Sequence, residues 1–127
     1  MIERMGTFRT TMNIENAEHR GETVTVADAL VDTGSEYTWV PRPLLEALGI
    51  RPEVSKRFIV ADGREFERQL GVAIVHAAGM FAPDFVVFGE PGDMIILGAR
   101  SLEGLNVKVD PHRKQLVPSG PILAGAV

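Results

Sequence analysis

The chain has 127 residues, 45% hydrophobic and 24% charged, with a formal net charge of -4 and no cysteine. That length makes one domain with room for a real core, and that balance belongs to a globular chain, not a disordered one. Lys and Arg are scattered singly, which excludes the clustered basic face that nucleic acid needs, and the missing thiols exclude a disulfide framework, a thiolate metal site and a cysteine nucleophile. His19, His76 and His112 stand too far apart in sequence for a metal-binding pair, so neither a metal nor another cofactor is expected. No apolar run is long enough to span a bilayer, and Met1 to Gly6 mixes charges with no apolar run behind it. A cytoplasmic protein with no secretory signal and no membrane partner is expected.

Residues 7–14 alternate, with Phe8, Thr10, Met12 and Ile14 on one side, and predict a half-buried strand. Residues 15–21 are polar, end in Gly21 and read as a hairpin connection. A second strand over 22–31 carries Val24 and Val26 inward, then closes into the continuous apolar run Ala29, Leu30, Val31, as a strand buried on both faces does. Residues 36–40 alternate again and place Tyr37 and Trp39 on one face. Pro43 suits the start of a short helix over 44–48 that Gly49 ends.

Residues 57–61 return to strand, Asp62-Gly63 carries the strongest hairpin signal in the chain, and 65–70 lead away. Arg57, Asp62, Arg64, Glu65, Glu67, Arg68 and Gln69 make this ribbon too polar to bury, so it should project from the body. Gly71 marks an expected bulge. Strands are predicted over 72–76, 80–88 and 94–97, the last stopped by Gly98, and His76 reads as a surface or satisfied core residue. A short helix over 99–105, strands over 107–109 and 115–117, and a tail over 119–127 complete the chain.

The organising stretch is Leu30-Val31-Asp32-Thr33-Gly34-Ser35. Polarity reverses at once after the buried run, which places Asp32 where a rigid element stops and a tight turn starts. Gly34 lacks the Cβ that would keep another backbone away. The same four residues also suit an ordinary turn, in which Asp bonds its own backbone two residues on and Gly takes positive φ.

A buried strand running into Asp-Thr-Gly at Asp32, a polar hairpin at Asp62-Gly63, and a second buried strand, Ile95-Ile96-Leu97, running into Gly98 recur in that order. The set resembles the retropepsin-like aspartic proteases, the single-domain branch that includes retroviral proteases and their bacterial and archaeal relatives, over nearly the whole chain. The resemblance implies a mostly β fold, a closed barrel-like lobe with a flap hairpin and one or two short helices, in a domain over 1–118. It also implies a homodimer, with a tail over 119–127 that is flexible or joins the dimer interface.

The resemblance implies an aspartic endopeptidase acting on peptides or unfolded proteins. Two carboxylates close together share one proton; the ionised one takes a proton from water and the protonated one polarises the scissile carbonyl. This chain holds one Asp-Thr-Gly, so the second Asp32 must come from a second copy at a twofold axis. Thr33 should hydrogen-bond across that axis and Gly34 should offer its carbonyl to the substrate. Ser35 should donate to the Asp32 carboxylate and lower its pKa, so that Ser35→Ala would move the acidic optimum upward. Asp62 and Gly63 would cover the peptide, and Met94 and Ile96, with Trp39, would line apolar subsites.

Two departures stand out. Many relatives carry Arg directly after the glycine at Gly98, where it pairs with an acid beyond the catalytic motif. Here Ala99 follows and Arg100 comes next, which leaves a shifted pair between Glu36 and Arg100. The hairpin tip also lacks the glycine-rich run of retroviral enzymes. The alternative is the same fold as an inactive or weak peptide-binding or dimerisation module, since fold does not establish activity. An aspartyl phosphoryl-transfer site is disfavoured, because position 34 is Gly where a second acid would stand.

Overall fold

A computed structural model describes residues 8–126, and over them nine strands and two helices follow one another. Met1 to Gly6, Thr7 at the expected start of the first strand, and Val127 at the end of the tail lie outside the described residues.

Strand β1 (Phe8–Glu15) buries Phe8, Met12 and Ile14 and turns Arg9 and Thr11 to solvent, the alternation its sequence demands. It pairs antiparallel with β2 (Thr23–Asp32), from Phe8 opposite Val31 to Glu15 opposite Thr23. The run Ala29, Leu30, Val31 is buried, and Asp32 is the last residue of β2. After the turn come β3 (Thr38–Pro41) and helix α1 (Arg42–Ala47). The helix starts two residues before the expected 44, with Pro43 in its first turn where a missing N–H costs nothing, and Gly49 at φ 75 carries the chain out.

Strands β4 (Val54–Ile59) and β5 (Glu65–Ala77) form the projecting hairpin, followed by β6 (Met80–Gly89), β7 (Ile96–Gly98) and helix α2 (Ala99–Leu105). A separate ribbon of β8 (Val107–Asp110) and β9 (Gln115–Pro118) closes the domain. The main sheet has the order β1-β2-β7-β3-β6-β5-β4, and β1 also pairs with β5 through Asn13 and His76, Ile14 and Val75, Glu15 and Ile74. That extra pairing rolls the sheet into a closed barrel and leaves β4 as an outer strand. The architecture is the mostly β, barrel-like lobe with a flap hairpin and two short helices that the sequence implied.

Slot-like pairing of β7 positions the site. It runs parallel to β2, with Leu30 opposite Ile96, Val31 opposite Leu97 and Asp32 opposite Gly98, while Trp39 of β3 faces Ile96 from the other side. The chain therefore enters the turn on one flank of β7 and leaves it on the other. Inside the barrel, Met12, Ile14, Val31, Val40, Val75, Val86, Phe88 and Leu97 are fully buried with Leu45 of α1 and Leu105 of α2. Trp39, Leu70 and Val87 form a second, smaller cluster with Tyr37, Phe58, Phe66 and Ile96 against it.

Three expectations change. Gly71 is not a bulge, because β5 pairs with β6 without interruption from Leu70 opposite Val87 to Ala77 opposite Met80. Its glycine is required by space instead, since a Cβ there would lie 2.6 Å from the Arg51 carbonyl oxygen. The stretch 65–77 is thus one long strand. Glu36 and Tyr37 precede β3, and Met94 and Ile95 precede β7, because parallel pairing with β6 begins at Thr38 and parallel pairing with β2 begins at Ile96.

Candidate active site

Asp32 leaves β2 half-buried, and its turn is closed by its own groups. Its Oδ1 accepts from the Gly34 N–H at 2.9 Å, and its carbonyl accepts from the Ser35 N–H at 3.1 Å. This is the Asp turn expected on ordinary grounds, although Gly34 is not among the glycines at positive φ. One carboxylate oxygen is held by the backbone at the mouth of the turn. Thr33 and Gly34 are exposed at its tip.

The turn is latched to the element behind it. The first amides of α2 reach across, Ala99 N–H donating to the Ser35 carbonyl at 2.8 Å and Arg100 N–H to the Glu36 carbonyl at 3.0 Å. Gly98 N–H donates to Thr38 Oγ1 at 3.0 Å. The Ser35 and Glu36 carbonyls are thereby paired outside any regular strand. The Ser35 hydroxyl donates to the Tyr37 carbonyl at 3.0 Å. This corrects the expected donation to Asp32: a hydroxyl has one proton, and here it braces the turn. The ground for an upward-shifted optimum in Ser35→Ala goes with it.

Arg100 stands where the shifted pairing placed it. Its guanidinium lies 3.9 Å from Glu36 Oε1, 3.6 Å from Asp84 Oδ1 and 5.3 Å from the centre of the Tyr37 ring. Both members of the Glu36 pair are exposed, 67% and 45%, so the pair is loose and adds little stability. It forms within one chain.

The hairpin tip is closed by Val60 N–H to the Arg64 carbonyl at 3.0 Å and Gly63 N–H to the Val60 carbonyl at 2.9 Å, with Gly63 at φ 90. The Asp62 carboxylate holds Arg64 through its backbone N–H at 3.0 Å and Nε at 2.7 Å. At the root of the hairpin, Phe58 sits 5.0 Å from Trp39 and 6.1 Å from Tyr37, ring centre to ring centre, and Phe66 sits 6.2 Å from both Phe58 and Trp39. Trp39 is only 8% exposed, so in the single chain it is a core anchor beneath the hairpin more than an open wall. Met94 and Ile96 are half-buried just ahead of Gly98, with Ile96 against the Trp39 cluster.

A second bond fixes that root. Arg68 of β5 grips Asp93 through Nε at 2.7 Å and Nη2 at 2.9 Å, and the Glu90 N–H donates to the same carboxylate at 2.8 Å. Hydrogen bonding from Arg68 holds the Asp93 carboxyl below its usual range against the opposing effect of burial, and the same bond raises Arg68. The hairpin and the loop leading to β7 are tied together there.

At the other end of the β1–β2 hairpin, eight residues or more from Asp32 along β2, lies a different cluster. Glu15 accepts from the Gly21 N–H at 2.5 Å, meets His76 Nε2 at 2.7 Å and Arg20 Nε at 3.1 Å. His76 is thus a satisfied partner, as its position suggested. A depression of about 560 Å3 lined by Asn16, Glu18, Ile50, Arg51, Glu53 and Val72 lies at this end, and Asp32 is not among its walls. Among the described residues no group of three or more His, Cys, Asp or Glu is placed to hold a metal, and no helix is long and apolar enough to cross a membrane.

A family model described as aspartyl protease matches residues 15–100, which span the Asp32 turn, the hairpin and Gly98. The chain belongs to the aspartyl protease family. The solution structure of the simian foamy virus (mac) protease is similar to this aspartyl protease with 21% identity and a TM-score of 0.49, over 74% of this chain and 92% of that chain. No curated protein matches the chain. The family match ends at Arg100, so the ribbon β8–β9 and the tail of this aspartyl protease lie outside it. Sequence reasoning missed Thr38, Asp84 and Ser101, whose side chains meet behind the turn; no spacing links residues that β3, β6 and α2 bring together.

Proposed function

We propose that this aspartyl protease is an endopeptidase whose active site forms when two copies bring their Asp32 turns together at a twofold axis. The observation that supports this reading is the turn itself: one Asp-Thr-Gly at the end of a buried strand, closed by its own hydrogen bonds, with Asp32 half-buried. The chemistry needs two carboxylates that share one proton, and since the chain has one Asp-Thr-Gly, a second copy would bring the other. The domain over 1–118 would carry the chemistry, with the tail over 119–127 flexible or at the dimer interface.

In this mechanism the ionised carboxylate of the pair takes a proton from water while the water oxygen bonds to the scissile carbonyl carbon. The protonated carboxyl donates to the carbonyl oxygen, giving a neutral tetrahedral diol. Collapse restores the carbonyl, breaks the C–N bond and passes a proton to the departing amine, so the pair ends with one proton as it began. Thr33, exposed at the tip, would bond across the axis, and the Gly34 carbonyl would receive the substrate backbone. Asp62 and Gly63 would close over the peptide through the hairpin's backbone groups, and Met94 and Ile96 would line apolar subsites above the buried Trp39.

The test is cleavage of an unfolded protein from about pH 3 to about pH 7, the range over which a carboxylate pair changes protonation. Acid-dependent cleavage that Asp32→Asn and a statine-type transition-state mimic both abolish, by a species that sediments as a dimer, is the expected result. Monomers at working concentration, or tight peptide binding without cleavage, would overturn the catalytic reading, the latter in favour of a binding module.

A further inference from the structure

Behind the catalytic turn runs a chain of buried polar groups that the mechanism above does not use. Gly98 N–H donates to Thr38 Oγ1 at 3.0 Å, Thr38 Oγ1 meets Ser101 Oγ at 2.5 Å, and Ser101 Oγ meets Asp84 Oδ2 at 3.1 Å. Thr38 and Ser101 are fully buried, and the Asp84 side chain is 9% exposed. Its other oxygen accepts from the Phe85 N–H at 2.8 Å and faces Arg100 Nε at 3.6 Å.

An ionised carboxylate only accepts, and that fixes the direction of every bond in the chain. Ser101 must spend its single proton on Asp84, so the proton between the two hydroxyls must come from Thr38. Thr38 is then left with only lone pairs toward Gly98, the role its contact with that N–H requires. Remove the carboxylate, and either hydroxyl proton can turn the other way, leaving a donor facing the Gly98 donor. Gly98 is the register partner of Asp32, and the next two amides hold the Ser35 and Glu36 carbonyls.

We propose that Asp84, acting through Ser101 and Thr38, is a positioning residue for the Asp32 turn: it sets the hydroxyl polarity that pins Gly98, and with it the height and angle at which Asp32 is presented. As a catalytic statement this rests on the proteolytic reading above. The physical core, that Asp84 controls the Gly98 amide, does not.

Two readouts keep those apart. In steady-state cleavage of one peptide, with active sites titrated by a statine-type mimic, Asp84→Leu, similar in size without an acceptor, should lower kcat roughly tenfold or more at nearly unchanged KM, since a small misplacement of the reacting group is enough for that. Asp84→Asn, which keeps an acceptor oxygen toward Ser101, should recover most of the loss. In amide hydrogen exchange, Asp84→Leu should speed exchange at Gly98 roughly tenfold or more relative to the β1–β2 amides, and Asp84→Asn should not. Should Asp84→Leu fail to fold, Ser101→Ala against Ser101→Thr takes its place in both measurements.

An unchanged Gly98 exchange rate in Asp84→Leu, or an equal loss of kcat in the Leu and Asn variants, overturns the proposal. A wild type that cleaves nothing overturns the proteolytic reading and the catalytic half of this one, while the exchange experiment still decides whether Asp84 governs Gly98.

Discussion

Gly98 lies against the backbone of Tyr37 so closely that a Cβ built on it would stand 2.6 Å from the Tyr37 carbonyl carbon and 2.9 Å from the Ser35 carbonyl oxygen, and closer still to the Tyr37 oxygen. Its φ of -97 is one any residue adopts, so the glycine is required by space and not by backbone conformation. The atoms in the way are main chain of the Asp32 turn, which cannot swing aside as a side-chain tip can. Gly98→Ala is therefore expected to cost about 2–3 kcal/mol, as an overpacked core does, and to displace the turn that carries Asp32. Thermal unfolding should show a fall of roughly 10 °C for a domain of this size. A variant that melts with the wild type would show that the turn is softer than its contacts indicate.

Glu15 ties the stability of the barrel to pH. Donation from the Gly21 N–H, then from His76, outweighs burial, and with Arg20 these bonds lower its carboxyl from 4.5 to about 2. The folded value lies below the unfolded one, so the stabilisation is fully present above about pH 4.5 and is lost as pH falls from there to about 2. In mild acid the far end of the barrel thus still holds the Glu15 carboxylate ionised. Glu15→Gln should lower the melting temperature most at pH 5 to 7, and the gap from wild type should close as pH falls through about 4.5 toward about 2. A gap that stays constant over that range would mean the ionised form contributes nothing.

The strands and the place of Asp32 were legible because alternation and continuous apolar runs report local geometry. Helix α2 was read to the residue, since Gly98 starts it and the apolar spacing of Leu102 and Leu105 continues it. What escaped the sequence depends on partners distant along the chain. Gly71 reads as a bulge until Arg51 is seen lying across it, and Trp39 suits a pocket wall and a core anchor alike in a sequence that does not show Phe58 packed against it. Ser35 found the Tyr37 carbonyl in place of Asp32 because α2 draws the turn back by its Ser35 and Glu36 carbonyls. Hydroxyls choose acceptors by the final path of the backbone, which motif spacing does not encode.

Phe58 roots the projecting hairpin on the barrel. Beyond it, β4 and β5 are polar and held by exposed pairs such as Arg57 with Glu65 at 2.9 Å, which are worth little in water. Toward the barrel, Phe58 meets Tyr37, Trp39 and Phe66, and Arg68 stacks over Phe66 at 4.6 Å while gripping Asp93. The aromatic root, not the tip, therefore fixes the hairpin to the barrel. Phe58→Ala removes the ring that meets all three neighbours, at a cost of about 1–2 kcal/mol from lost aromatic contacts. Exchange of amides over 54–70 should quicken while those of β1 and β2 keep their protection, because the barrel closes through β1 and β5 beyond Gly71. In a peptide-cleavage assay KM should rise several-fold with a smaller change in kcat, since a loosened cover weakens substrate binding more than it moves Asp32. Equal loss of protection in the hairpin and in β1–β2 would show instead that the ring supports the whole barrel and that the hairpin does not move on its own.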